Sequence, residues 1–157
     1  ADGDVLILHG CCHNPSGIDL DQAAWEAIAH QATAKNLVCL VDFAYQGFGE
    51  GLEEDRSGLH VLLNAGLAVL VASSYSKNFG LYNERIGAIT VVEETAEEAI
   101  NAFSHIQAAI RAIYSSPPAH GGKIVATILG DESLKALWIQ ELAEMRARIK
   151  QLSLIHI

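Results

Sequence analysis

The chain has 157 residues, half of them hydrophobic and 18% charged, with a formal net charge of −9. That composition supports a globular core and excludes a disordered chain, and the acidic balance argues against nucleic acid or an anionic membrane surface as a partner. No apolar run has the length of a membrane span. The three cysteines, two of them adjacent at Cys11 and Cys12, read as reduced thiols of a cytoplasmic protein. Cys11-Cys12-His13 has no second cluster to complete a metal site, so no metal is expected.

In chain order, Val5 to His9 is a short apolar run that predicts a buried strand, followed by loop chemistry from Gly10 to Gly17. Asp19 to Asp21 supplies a cap for a helix running to about Lys35, with Ala24, Trp25, Ile28, Ala29 and Ala32 on one face. Leu37 to Val41 predicts the second strand, closing on Asp42, and Phe43 to Gly51 a loop. Glu53 to Ala65 reads as a short helix stopped by Gly66, with Leu59, Leu62 and Leu63 inward. Leu67 to Ala72 predicts the third strand. Arg85 to Val92 predicts a fourth, and the short connection between them suits antiparallel pairing. A long helix from Glu94 to about Tyr114 would bury Ala99, Ala102, Phe103, Ile106, Ile110 and Ile113, and Ser115-Ser116-Pro117-Pro118 breaks it. A short helix spans Gly121 to Leu129. A last one starts at Asp131 or Ser133 and runs through Lys150, with Leu134, Leu137, Trp138, Leu142, Met145 and Ile149 inward.

Apolar strands alternating with helices predict an α/β fold, a mostly parallel sheet covered on both faces. Ligands bind beyond the carboxyl ends of such strands. Three clusters fall there: His9 to Asn14, Asp42 to Tyr45, and Ser74 to Lys77. Lys77 leaves a buried strand and offers an amine nucleophile for carbonyl groups. Ser74 and Arg85 on either side offer a hydroxyl and a guanidinium, donors suited to a phosphate. Asp42, at the end of a buried strand, calls for a cationic partner. Arg111, near a helix end, reads on its own as a solvated or capping charge.

Ser73-Ser74-Tyr75-Ser76-Lys77-Asn78-Phe79-Gly80 through Gly87 resembles the cofactor-lysine segment of class I aminotransferases, pyridoxal-phosphate enzymes of fold type I, in the aspartate and aromatic-amino-acid branch. Asp42-Phe43-Ala44-Tyr45 and His13-Asn14-Pro15-Ser16-Gly17 match that family's other motifs. The resemblance implies pyridoxal 5'-phosphate as cofactor, held as an imine on Lys77. Asp42 would meet the pyridine nitrogen and Ala44 the ring face, Asn14 and Tyr45 the phenolic oxygen, and Ser74 and Arg85 the phosphate. Lys77 would also carry the proton between substrate and cofactor. Arg111 would cross a homodimer interface to grip a distal substrate carboxylate, with Asn14 also near the substrate. The implied reaction is transamination of aspartate, glutamate and aromatic amino acids with 2-oxoglutarate.

The resemblance runs from about Val5 to Arg148 and implies a longer parent protein. Both ends of the chain read as cut. Residues 1–130 are expected to be the C-terminal half of the cofactor-binding large domain, and residues 131–157 the start of the helix leading to a small domain. Ser153 to Ile157 does not resemble the family's continuation. Without the partner segments, negligible transaminase activity and a tendency to aggregate are expected of this chain alone. Two rivals share the motifs: a non-catalytic pyridoxal-phosphate-binding effector module, and a fold-type-I lyase or decarboxylase.

Overall fold

The computed structural model describes residues 3–155, with side chains described to Leu152. Ala1 and Asp2 of the polar lead and His156 and Ile157 of the tail lie outside the described residues. Four strands form one sheet in the order of the sequence: β1 (Val5–His9), β2 (Val38–Phe43), β3 (Val69–Ser74) and β4 (Gly87–Val92). The first three are parallel, and β4 runs antiparallel to β3. The helices are α1 (Gln22–Ala34), α2 (Ser57–Asn64), α3 (Ala96–Ile113), α4 (His120–Gly130) and α5 (Glu132–Ile155). Among the described residues no helix is long and apolar enough to cross a membrane.

Strand alternation decides which side chains share a face. Leu8, Cys39, Val41, Phe43, Val69 and Val71 point one way and are buried, packed under Trp25, Ala29 and Ala32 of α1 and Leu62 of α2. Asp21 caps α1, accepting from Ala24 N at 2.8 Å. Asn36 (φ 50°) and Gly66 (φ 72°) take the left-handed turn that stops α1 and α2. Asp131 caps α5, accepting from the amides of Ser133 and Leu134. The Ser133 hydroxyl, then these amides, hold its carboxyl below the usual range.

The expected cover on the second face is incomplete. Val5 and Ile7 stand 58% and 67% exposed, and α3 packs against β4. None of the α3 residues expected to be buried is so, and Phe103 and Ile113 are exposed. Among the described residues of α5 only Leu142 is fully buried. Trp138 is half-buried, while Leu134, Leu137, Met145 and Ile149 are exposed. The 3.6-residue pattern identified both helices correctly, but among the described residues little covers those stripes. The helix expected from Glu53 opens instead as a single 3-10 turn, Glu54–Arg56, before α2. Asp55 is turned inward there, and the turn accommodates it.

Gly58, at the start of α2, is where α2 lies on α1. A Cβ at this position would collide with the Trp25 ring, which is 3% exposed and has nowhere to move. Alanine would gain up to about 1 kcal/mol of helix propensity, less in a first turn. Overpacking costs about 1–3 kcal/mol, so the clash wins. Gly58→Ala is expected to lower the melting temperature by several degrees in calorimetry; a rise would mean that α1 shifts freely.

Candidate active site at the carboxyl ends of the strands

The three loops leaving β1, β2 and β3 converge at one end of the sheet. Register sets His9 beside Asp42, and Asp42 beside Ala72. Asp42 is half-buried on the face opposite the core, and among the described residues its carboxylate has no hydrogen-bond partner. Its main-chain oxygen accepts from Gly10 N at 2.9 Å. Gly10 is required there, because a Cβ would run into the Phe43 ring.

Asp19 shapes the first loop. Its carboxylate accepts from Cys12 N and His13 N, each at 2.7 Å. Of the Asp19 to Asp21 stretch expected to cap the helix, Asp21 takes that role and Asp19 serves the loop. Asn14 N donates to His9 Nδ1 at 3.4 Å, and the His9 and His13 rings lie 4.6 Å apart. His9 is thus a packed neighbour of Asp42. Asn14 Nδ2 donates to the Tyr45 hydroxyl at 3.3 Å.

Lys77 follows the third strand. Its Nζ stands 4.5 Å from the Tyr45 ring centroid and 5.9 Å from that of Tyr82. Among the described residues it forms no salt bridge. Ser74 Oγ accepts from Ser76 N at 3.2 Å, fixing the turn between them. Arg85 is in the left-handed region (φ 51°) and does not open β4, which starts at Gly87; its Nη1 donates to Tyr82 O at 3.0 Å. Ala44 is half-buried between Phe43 and Tyr45. An open cavity of about 580 Å³ is lined by Lys77, Tyr45, Tyr82 and Cys12, and by Met145 and Ile149 of α5. Asn14, Tyr45 and Lys77 are therefore in one cluster, with Asp42 next to it in register. Arg111 is not. It sits exposed at the end of α3, its Nη1 donating to Ser115 Oγ at 2.6 Å.

Two features escaped the motif reading. Tyr82 flanks the lysine, yet its only sequence signal is an aromatic in the turn after it. Asp55 organises the loop behind Tyr45, accepting from the amides of Gly47 (2.7 Å), Gly49 (3.1 Å), Glu50 (2.7 Å) and Gly51 (3.3 Å). Its signal was the alternate glycines 47, 49 and 51, which let backbone approach an anion closely.

Cys12 lines the cavity and Cys11 is 6% exposed. The Cys11 thiol is pushed up by its hydrogen bond with Cys12, by burial and by the Asp55 carboxylate. The same hydrogen bond, seen from Cys12, stabilises its thiolate and lowers it. Burial alone raises fully buried Cys39. Iodoacetamide at pH 8 is therefore expected to modify Cys12 at least about tenfold faster than Cys11 or Cys39. Equal rates in a peptide map would show that the native thiol pairing is not formed.

A clustered amine, phenol and carboxamide suits covalent capture of a carbonyl compound. The chain is similar to known proteins. The family model "Aminotransferase class I and II" matches residues 1–154. The aspartate aminotransferase of Salmonella typhi is 55% identical over 150 residues, covering 96% of this chain and 38% of that protein. The aromatic-amino-acid aminotransferase of Pseudomonas aeruginosa is 47% identical over 150 residues, with the same coverage. In three dimensions the chain resembles the crystal structure of an aromatic-amino-acid aminotransferase from Burkholderia pseudomallei covalently bound to pyridoxal phosphate. The TM-score is 0.92 at 45% identity, covering 96% of this chain and 38% of that one. The chain thus spans about 38% of the length of these relatives. The match runs through all four strands and each loop described above, and the chain belongs to the class I and II aminotransferase family.

Proposed function

We propose that this chain is the lysine-bearing part of a pyridoxal-phosphate-dependent aminotransferase. The proposed substrates are aspartate, glutamate and aromatic amino acids, with 2-oxoglutarate as amino acceptor. One observation carries the reading: an amine that forms no salt bridge among the described residues stands over a tyrosine whose hydroxyl accepts from Asn14, and the strand leading to that tyrosine carries Asp42, whose carboxylate has no partner among the described residues. These residues fit pyridoxal phosphate group by group. Lys77 would attach covalently to its aldehyde carbon. Asp42 would hold a proton on its ring nitrogen, and Ala44, too small to block it, would lie against its face. Asn14 and Tyr45 would donate to its phenolic oxygen, while Ser74 and Arg85 would meet its phosphate. Once bound, the cofactor supplies an electron sink for the carbanion formed at the amino acid's Cα. Lys77, no longer covalently engaged, would take the proton from the amino acid's Cα as general base and deliver it back as general acid.

Relatives named for both aspartate and aromatic amino acids support the substrate range. The exposed position of Arg111 suits a homodimer in which it serves the partner's site and binds a distal carboxylate through its planar fork. Residues 1–130 would belong to the large domain, and 131–157 would lead toward a small one that holds the α-carboxylate. The enzyme would work in the cytoplasm. Alone, the chain would lack that anchor and show negligible turnover.

The test is cofactor trapping. Pyridoxal phosphate is added to the chain, the adduct is reduced with borohydride and the labelled peptide is mapped. Label on Lys77 only, absent in Lys77→Ala, is the expected result. Label spread evenly over Lys35, Lys123 and Lys135 would refute the reading.

A further inference from the structure

Helix α5 grips the lysine loop from outside the cavity. Trp138 Nε1 donates to the main-chain oxygen of Asn78 at 2.8 Å. The Trp138 ring stacks on Phe79, with centroids 4.5 Å apart and planes 19° apart. Phe79 in turn meets Tyr75 edge-on at 5.4 Å. One side chain thus holds both residues that directly follow Lys77, and a residue two before it is held through Phe79.

The lysine loop is also tied to the tyrosine loop. Asn78, 5% exposed, donates from Nδ2 to Gln46 O at 3.2 Å, and Gln46 directly follows Tyr45. Gln46 Nε2 continues to Leu52 O at 2.9 Å. Asn78 Oδ1 is buried without a partner. A buried acceptor is unfavourable in that state, so the side chain is held there by its Nδ2 bond and by the packing around it. The residues after Lys77 and Tyr45 are therefore bonded to each other, and Trp138 closes the arrangement from α5.

We infer that Trp138 is a positioning residue for Lys77: through Asn78 and Phe79 it fixes the lysine loop against the tyrosine loop and so sets where the amine stands over Tyr45. A lysine reaches its target through a flexible four-carbon stem. Holding its backbone still is the available way to confine Nζ, and such confinement contributes to the effective concentration of a reacting group. The consequence for cofactor attachment rests on the reading of Lys77 proposed above, whereas the anchoring itself does not.

Three variants test this. Trp138→Phe keeps a ring to stack on Phe79 but removes the N–H. Trp138→Ala removes both. Trp25→Phe perturbs a buried tryptophan of α1 in the core, which among the described residues has no hydrogen bond to the lysine loop, as a control. Backbone amide exchange is measured for residues 76–80. The rate of borohydride-trapped labelling at Lys77 by pyridoxal phosphate is measured too, with the pH midpoint of the loaded chain's visible band. Trp138→Phe is expected to speed exchange of those amides about fivefold to tenfold, the worth of one hydrogen bond. It is also expected to slow labelling by a similar factor and to move the midpoint; Trp138→Ala should do more. Trp25→Phe should speed exchange in the core strands and leave the loop and the midpoint unchanged. Unchanged loop exchange in Trp138→Phe overturns the inference, as does a rise spread evenly along the chain. If the parent chain takes no label on Lys77, the cofactor reading fails, and the exchange measurement alone still decides the anchoring.

Discussion

Asp55→Ala is expected to destabilise the chain by about 3–5 kcal/mol, a large share of what a domain of this size possesses. The reason is the number of donors that depend on one side chain. Both carboxylate oxygens are in use, and four loop amides, those of Gly47, Gly49, Glu50 and Gly51, lose their acceptor together. Each buried N–H left unpaired costs about 1–3 kcal/mol, and water entering the loop offsets part of that sum. Gly49 shows how tightly the loop is built, since even a Cβ there would press on the carboxylate. Asp55→Asn recovers little, because its amide nitrogen would face donors rather than acceptors. The damage should also spread to α5, whose Leu142 packs on Gly47 and whose Arg146 donates to Gly47 O at 2.8 Å. Urea unfolding measures the change. A loss under about 1 kcal/mol would show that the loop finds other acceptors and that Asp55 is not its organiser.

Residues whose placement is set locally were legible in the sequence. Asp42 lies near the end of a strand that an apolar run announces, Asn14, Tyr45 and Lys77 follow such strands, and a parallel sheet brings the ends of its strands together. The antiparallel fourth strand followed from the short connection between Ser74 and Gly87. What escaped were roles that depend on long-range partners. Trp138 read as one more apolar position on an amphipathic helix, since no periodicity reveals that its N–H meets an Asn78 carbonyl in a distant loop. Asp55 read as part of a helix start for the same reason. The face of α3 failed differently. Its pattern was read correctly, but burial needs a second surface, and the surface found against it is that of β4. Arg111 belongs with these: the family resemblance implies a carboxylate for it to bind, and within one copy of this chain the guanidinium meets Ser115.

Asp42→Ala is expected to weaken pyridoxal phosphate binding about a hundredfold, at the lower end of what breaking a buried charge pair costs because Asp42 is only half-buried. The attachment point on Lys77 and the phosphate donors remain, so saturating cofactor should still label Lys77. That separates this variant from Lys77→Ala, which removes the label outright. Stability provides a second signature, of opposite sign in the two states. Without cofactor the Asp42 carboxylate is partly desolvated and unpartnered, so its removal should leave the melting temperature unchanged or raise it. With cofactor bound, the charge opposite the ring nitrogen is lost and the stabilisation from ligand should shrink. Asp42→Asn, which keeps the shape but not the charge, should bind nearly as weakly as alanine if charge is what matters. Titration of the visible band and melting curves with and without cofactor check both signs. Binding within about threefold of the parent would remove Asp42 from the site, because a carboxylate facing a protonated ring nitrogen is worth more than that.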